Sequence, residues 1–75
     1  MNDLDCITQL ICEIGKLPAI GPDEVMMDAG FSSMNALQLL VELESAFDIT
    51  IPDEDFITAQ TPRALESLVT RLREQ

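Results

Sequence analysis

Apolar residues recur at helical spacing in three stretches of this chain, and the intervals between them carry turn signals. Leu4, Ile7, Leu10, Ile11 and Ile14 form the first stripe, with Asp3 placed to cap a helix running to about Lys16. Gly15, Pro18, Gly21 and Pro22 end that helix and open a connection that reaches Ser32. The longest run follows, from Ser33 to Phe47. It sets Leu37, Leu40, Val41 and Glu44 roughly on one side and Gln38, Glu42 and Ser45 on another. Its apolar breadth is read as bundle core, with part of the stripe free to face a ligand or partner. Asp48 starts the exit, and Ile49-Thr50-Ile51-Pro52 reads as an extended connector, because the residue before proline is pushed away from helical angles. Asp53-Glu54-Asp55-Phe56 predicts a helix of one or two turns with carboxylates at its favourable end. Thr61 then caps a last helix with Pro62 in its first position. Ala64, Leu65, Leu68, Val69 and Leu72 close the core, while Arg71 and Arg73 complement the dipole at its end.

These elements predict an all-α fold, a small four-helix bundle of three longer helices and one short one, with a long loop between helices one and two. No run of β-branched residues alternates with period two, so no sheet is assigned. A loop over residues 17–32 is long for so small a domain and needs its own anchors, for which Leu17, Ile20, Val25, Met26 and Phe31 are the candidates. Asp23 and Glu24 are placed to begin a single helical turn within it. The composition agrees with such a bundle: 47% of residues are apolar but only three are Phe and none is Trp or Tyr, so Leu, Ile, Val, Met and Ala must fill the core. With 75 residues the chain is read as one domain spanning 1–75.

Charge narrows the partners. Fourteen acidic residues against four basic ones give a net charge of −10, and Lys16 is the only cation before Arg63. A nucleic-acid backbone is repelled by such a surface, whereas basic patches on partner proteins suit it. Cys6 and Cys12 lie on one predicted helix, about 9 Å apart along its axis, which is too far for a disulfide. The chain has no histidine, and the acidic run at Asp53 lacks the glycine and glutamate spacing of a calcium loop, so no metal site is expected. Neither a basic leader nor a long apolar run appears, so no membrane association is expected and the cytosol is the default location. A Met start and the lack of linker composition at either end lead to the expectation of a discrete protein, with a monomer as the default state.

Asp28-Ala29-Gly30-Phe31-Ser32-Ser33-Met34 forms a glycine-hinged turn that delivers two serines to the start of the longest helix. One of them can accept the capping hydrogen bonds while the other presents its hydroxyl outward, and either assignment fits the spacing. A phosphate ester there is favoured by exposed N–H groups and the positive end of the helix dipole. A catalytic serine is disfavoured: no histidine is available as base, Lys16 lies at another helix end, and the segment does not fit a Gly-x-Ser-x-Gly elbow.

The same segment, followed by Leu37, Leu39, Glu42, Leu43, Glu44, Phe47, Asp48, Ile49, Ile51, Pro52 and Asp53, resembles the acyl carrier protein family, including the related peptidyl and aryl carrier proteins. The family's usual pattern is Gly-Leu-Asp-Ser-Leu, a helix ending in a Glu-rich turn with Phe-Asp, then Ile-Pro and an acidic residue. The resemblance runs over residues 4–72. It implies that Ser33 carries 4′-phosphopantetheine, transferred from coenzyme A by a phosphopantetheinyl transferase. The arm then holds an acyl, aminoacyl or peptidyl group as a thioester, and the protein is not itself an enzyme. It further implies docking of loading ligases, acyltransferases and later biosynthetic enzymes, through basic surfaces, against Ser32, Met34, Gln38, Val41, Glu42, Glu44 and Ser45. Phe31 stands where Leu is commoner and Ser32 where Asp is commoner, while Gln38 and Ser45 occupy positions at which fatty-acid carriers often place glutamate. These departures point to a dedicated pathway of secondary metabolism, polyketide or nonribosomal peptide, with fatty-acid synthesis as the alternative within the family. An acidic helical interaction module, with Ser33 only a cap and no prosthetic group, is the alternative of another class.

Overall fold

Three apolar stripes that must leave water decide the architecture. The structure, a computed structural model, describes residues 2–74 and contains α1 (Asp3–Gly15), α2 (Ser33–Phe47), α3 (Asp53–Thr58) and α4 (Pro62–Arg73), with no strand among the described residues. Ile7 and Ile11 of α1, Leu39 and Leu43 of α2, and Leu65 and Val69 of α4 are all 0% exposed. α1 lies against both α2 and α4, so its stripe is the centre on which the two other long helices close. The radius of gyration is 11.0 Å. A compact chain of this length reaches about 11 Å, so the four elements form one packed body. The expected small four-helix bundle, with three longer helices and one short, is what the chain adopts.

α3 differs from the others because it is too short to bury a stripe. It contains no fully buried residue, and Phe56 is only partly packed against the core. Its three acidic residues, Asp53, Glu54 and Asp55, occupy its first turn, where the dipole favours them. Pro52 precedes it without a side-chain cap, and Ala59, just beyond it, is the buried residue that ties it down.

Four details depart from expectation. Asn2, not Asp3, caps α1: its side-chain oxygen accepts from Asp5 N at 2.8 Å, while Asp3 is the first helical residue and pairs with Arg73 Nη1 at 2.9 Å. Both residue types cap well, so a one-residue shift in register decides between them. The end of α1 also falls one residue early, because Lys16 takes the left-handed conformation (φ 55°) and its N–H donates to Cys12 O. The helical turn in the loop does not begin at Asp23 and Glu24. Those residues form a tight turn closed by Glu24 N donating to Gly21 O, and the helix-like turn comes later, where Ala29 N donates to Val25 O and Gly30 N to Met27 O. On α2 the core face is made by Leu39 and Leu43, with Leu40 and Phe47 partly buried, whereas Leu37 and Val41 are exposed.

The long loop is anchored largely as expected. Ile20, Met26 and Phe31 are buried, Leu17 and Val25 half-buried. Backbone bonds add to this: Met26 N donates to Gln60 O at 2.9 Å and Arg63 N to Pro22 O at 2.9 Å, stitching the loop to the segment that starts α4. Asp23 accepts from Arg63 Nε at 2.8 Å across the same seam, and that bond, together with the neighbouring carboxylate charge, holds the guanidinium above its ordinary value.

Phe31 sets the tightest packing constraint. A Cβ on Gly15 would lie 2.7 Å from a carbon of the Phe31 ring, so the glycine is what lets the aromatic ring reach α1. Gly15→Ala is expected to lower stability by about 1–2 kcal/mol, the overpacking penalty outweighing the helix preference of alanine. Adding Phe31→Leu should recover part of the loss. Lys16→Gly relieves the left-handed strain and should stabilise by about 1 kcal/mol. Urea midpoints at unchanged m-value check all three.

Candidate functional site

The site is built by the end of the loop. Gly30 has φ +105°, a conformation strained for any L side chain, and it reverses the chain after the turn at 26–30. Phe31 N then donates to Met26 O at 3.0 Å while the Phe31 ring is buried at 3% exposure, so the residue before the serine pair is held from both sides. Ser32 follows with extended backbone (φ −86°, ψ 169°) and its Oγ accepts from Asn35 N at 3.1 Å, while its carbonyl accepts from Ala36 N. The two serines therefore divide the work that their spacing left open. Ser32 is the N-cap, and Ser33 is the first helical residue, exposed, with no hydrogen bond to its hydroxyl among the described residues.

At that position Ser33 sits among free donors. The amides of Ser33 and Met34 belong to the first turn and have no intrahelical acceptor. No charged side chain occupies this turn, so the positive end of the α2 dipole is not neutralised by an acidic residue of its own helix. A cavity of about 330 Å³ opens beside the hydroxyl. Met26, Phe31 and Ala36 line one side of it, and Phe56, Ile57 and Gln60 line the other. The weakly anchored α3 thus supplies a wall of the space next to Ser33.

The remaining candidate residues of α2 are scattered around the helix. Met34 is 84% and Val41 57% exposed, and Gln38, Glu42 and Ser45 also face solvent. Glu44 is half-buried, and its Oε2 accepts from Ile51 N at 2.9 Å, so this carboxylate holds the connector to α3. Sequence reasoning missed three residues near the site: Leu37 (66% exposed), Met27 (69%) and Ile57 (70%). Each had a signal available. Met26-Met27 and Phe56-Ile57 are adjacent apolar pairs, of which one member points inward, and Leu37 lies far around the helix from Leu39 and Leu43.

Cys6 and Cys12 are free thiols, both half-buried. Among the described residues no cluster of three or more His, Cys, Asp or Glu is placed to hold a metal ion, and no helix is long and apolar enough to cross a membrane.

Ser33 thus displays a hydroxyl at a helix start, next to the residue that caps the helix and at the edge of an apolar cavity. The family model described as "Phosphopantetheine attachment site" matches residues 5–69, and the chain belongs to that family. Among curated proteins, it is 51% identical over 35 residues to a D-alanyl carrier protein of Streptococcus mutans. The matched stretch covers 45% of this chain and 44% of that relative. Family membership implies a covalently attached 4′-phosphopantetheine. The residues present fit such a group: a free hydroxyl to bear it, unpaired amides beside its phosphate, and a largely apolar cavity adjoining its root.

The division between the serines has a thermodynamic signature. Ser32→Ala removes the cap and should cost about 1 kcal/mol, whereas Ser33→Ala removes a hydroxyl with no partner and should stay within about 0.5 kcal/mol of wild type. Chemical denaturation of the two variants checks the difference.

Proposed function

We propose that this protein is a carrier whose Ser33 Oγ bears the 4′-phosphopantetheine arm, and that residues 1–75 act as one carrier domain. The observation that supports Ser33 over Ser32 is the geometry of the pair: Ser32 Oγ is taken up by Asn35 N, while the exposed Ser33 hydroxyl is free. In the loading step a phosphopantetheinyl transferase joins Oγ to the phosphate next to the pantetheine portion of coenzyme A. The Oγ–P bond forms, the diphosphate P–O bond breaks, the adenosine bisphosphate portion leaves, and the hydroxyl proton passes to the transferase. When bound, the arm supplies a terminal thiol that holds acyl, aminoacyl or peptidyl groups as thioesters. The chain's own residues provide position and charge. The new phosphodiester lies at the start of α2, where the dipole favours an anion by about 0.3–1 kcal/mol. The cavity between Phe31 and α3 offers the arm an apolar surface to rest on.

Acid–base catalysis is left to the partners, since the chain has no histidine. Those partners are the transferase, a loading ligase or acyltransferase, and the enzymes that consume the cargo. The likeness to a D-alanyl carrier protein puts an aminoacyl group first among the cargoes. Ser32, Gln38 and Ser45, where fatty-acid carriers favour carboxylates, support service in a dedicated biosynthetic route such as secondary metabolism, with a cytoplasmic monomer as the working form.

Intact-protein mass after incubation with a broad-specificity transferase and coenzyme A tests this on wild type, Ser32→Ala and Ser33→Ala. One added phosphopantetheine is expected on wild type and Ser32→Ala, and none on Ser33→Ala. A folded wild type that stays unmodified with several transferases would remove the carrier assignment and leave the acidic helical interaction module in its place.

A further inference from the structure

The backbone gives Gly15 no reason to be glycine. It is the last residue of α1, inside an element that glycine disfavours, and the left-handed position that ends the helix is taken by Lys16 (φ 55°). What the position requires is the lack of a side chain. A Cβ there would lie 2.7 Å from Phe31 Cδ1, 3.1 Å from Phe31 Cε1 and 3.3 Å from Leu17 Cγ. The Phe31 ring therefore occupies the space that any other residue at 15 would fill, and Leu17 crowds the same spot.

The ring also borders the cavity beside Ser33, since Phe31 is one of the residues that line it. Pressed from α1, it has that open space to move into. The backbone of Phe31 is held on its upstream side: Phe31 N donates to Met26 O at 3.0 Å, and Met26 N donates to Gln60 O at 2.9 Å, which ties the turn to the segment before α4. A displacement of the ring is therefore passed downstream. It meets Ser32, whose side chain is joined to α2 by one bond, Oγ accepting from Asn35 N at 3.1 Å. Ser33 is the next residue, and its own amide has no intrahelical acceptor to resist the shift.

We propose that Gly15 and Phe31 are positioning residues for the reaction at Ser33: their contact sets where the hydroxyl stands and thereby the rate at which phosphopantetheine is transferred to it. This rests on the reading of Ser33 as the attachment residue. Neither residue supplies a group to the chemistry. Forming the Oγ–P bond needs Oγ aligned with phosphorus as the diphosphate P–O bond breaks, and a misplacement of about 1 Å costs such a step up to about a hundredfold. The exposed surface of α2 beyond its first turn is untouched, so the effect falls on kcat and not on KM.

The test is steady-state transfer from coenzyme A by a broad-specificity transferase, read by intact mass, on wild type, Gly15→Ala, Phe31→Leu, the double variant and Ile7→Val. Urea curves first establish conditions under which every variant is folded. Ile7→Val trims the core of α1 about 12 Å along the helix from Gly15, so it lowers the urea midpoint without reaching the Phe31 contact. Gly15→Ala is expected to lower kcat about tenfold with KM within about twofold of wild type. Phe31→Leu and the double variant should both stay within about threefold, a non-additivity that assigns the effect to the contact. Hydrogen exchange at the Asn35 amide, which Ser32 caps, should quicken about fivefold or more in Gly15→Ala and return in the double variant, with Leu43 unchanged. Ile7→Val should keep wild-type kcat. An equal fall of kcat in Ile7→Val would overturn the proposal, since lost stability alone would then explain it. So would wild-type kcat in Gly15→Ala, a rise in KM alone, or a defect that Phe31→Leu does not relieve. Absence of any mass gain on wild type is a separate result: it removes the attachment reading itself, and this proposal with it.

Discussion

The contact between the Phe31 ring and Gly15 is the constraint on which the site depends. A loop that connects two helices over residues 16–32 has many ways to approach α2, and only a buried anchor next to the helix start narrows them to one. Phe31 is that anchor, seated where α1 lacks a side chain, and its backbone is held by Met26. The direction in which Ser32 enters the helix follows from this. Ser32 is then oriented to cap, and Ser33 is turned outward as the first helical residue. The chain thus places the Ser33 hydroxyl through core packing at a distance of two residues, and that hydroxyl makes no hydrogen bond among the described residues.

α2 serves two environments at once. Its Leu39 and Leu43 side is bundle core, and its Met34, Leu37 and Val41 side is surface, with the serine at the junction. A helix that is apolar on opposite sides leaves one of them in water, and here that side adjoins Ser33 and the cavity beside it. α3 contributes in the opposite manner. Being short and weakly anchored, it adds little to the core but forms one wall of the cavity beside Ser33 through Phe56, Ile57 and Gln60. Different elements therefore do different work: α1, α4 and the inner side of α2 hold the fold, while α3 and the outer side of α2 form the surface next to Ser33.

Much of this was legible in the residues. The start of α4 at Thr61-Pro62 and the span of α2 from Ser33 to Phe47 follow from capping chemistry, and both are observed as read. The loop anchors Ile20, Met26 and Phe31 were recognisable as isolated apolar residues in a stretch too long to float free. What periodicity could not resolve was orientation. Leu37, Leu39, Leu40, Val41 and Leu43 wrap so far around α2 that either of two arcs can be core, and the choice is made by where Ile7, Ile11, Leu65 and Val69 stand. Nor could spacing assign the cap, because two identical serines in succession differ only in the backbone angles that Gly30 and Phe31 impose. Asn2 and Asp3 posed the same ambiguity in miniature. The resemblance to carrier proteins picked out Ser33 and used Leu37 as a pattern residue, yet it did not say that Leu37, Met27 and Ile57 stand in water, as they do in the packed structure.

The pairing of Asp3 with Arg73 has a practical corollary. It fastens the beginning of α1 to the end of α4, so the two extremities of the described chain emerge side by side. Phe31 meets α1 at the other extremity, near Gly15, about 18 Å away along a helix of this length. A fluorophore, a surface tether or a fused protein attached at either extremity would hang from the pole opposite Ser33. The hydroxyl and its flanking apolar surfaces would remain as accessible on an immobilised protein as on a free one.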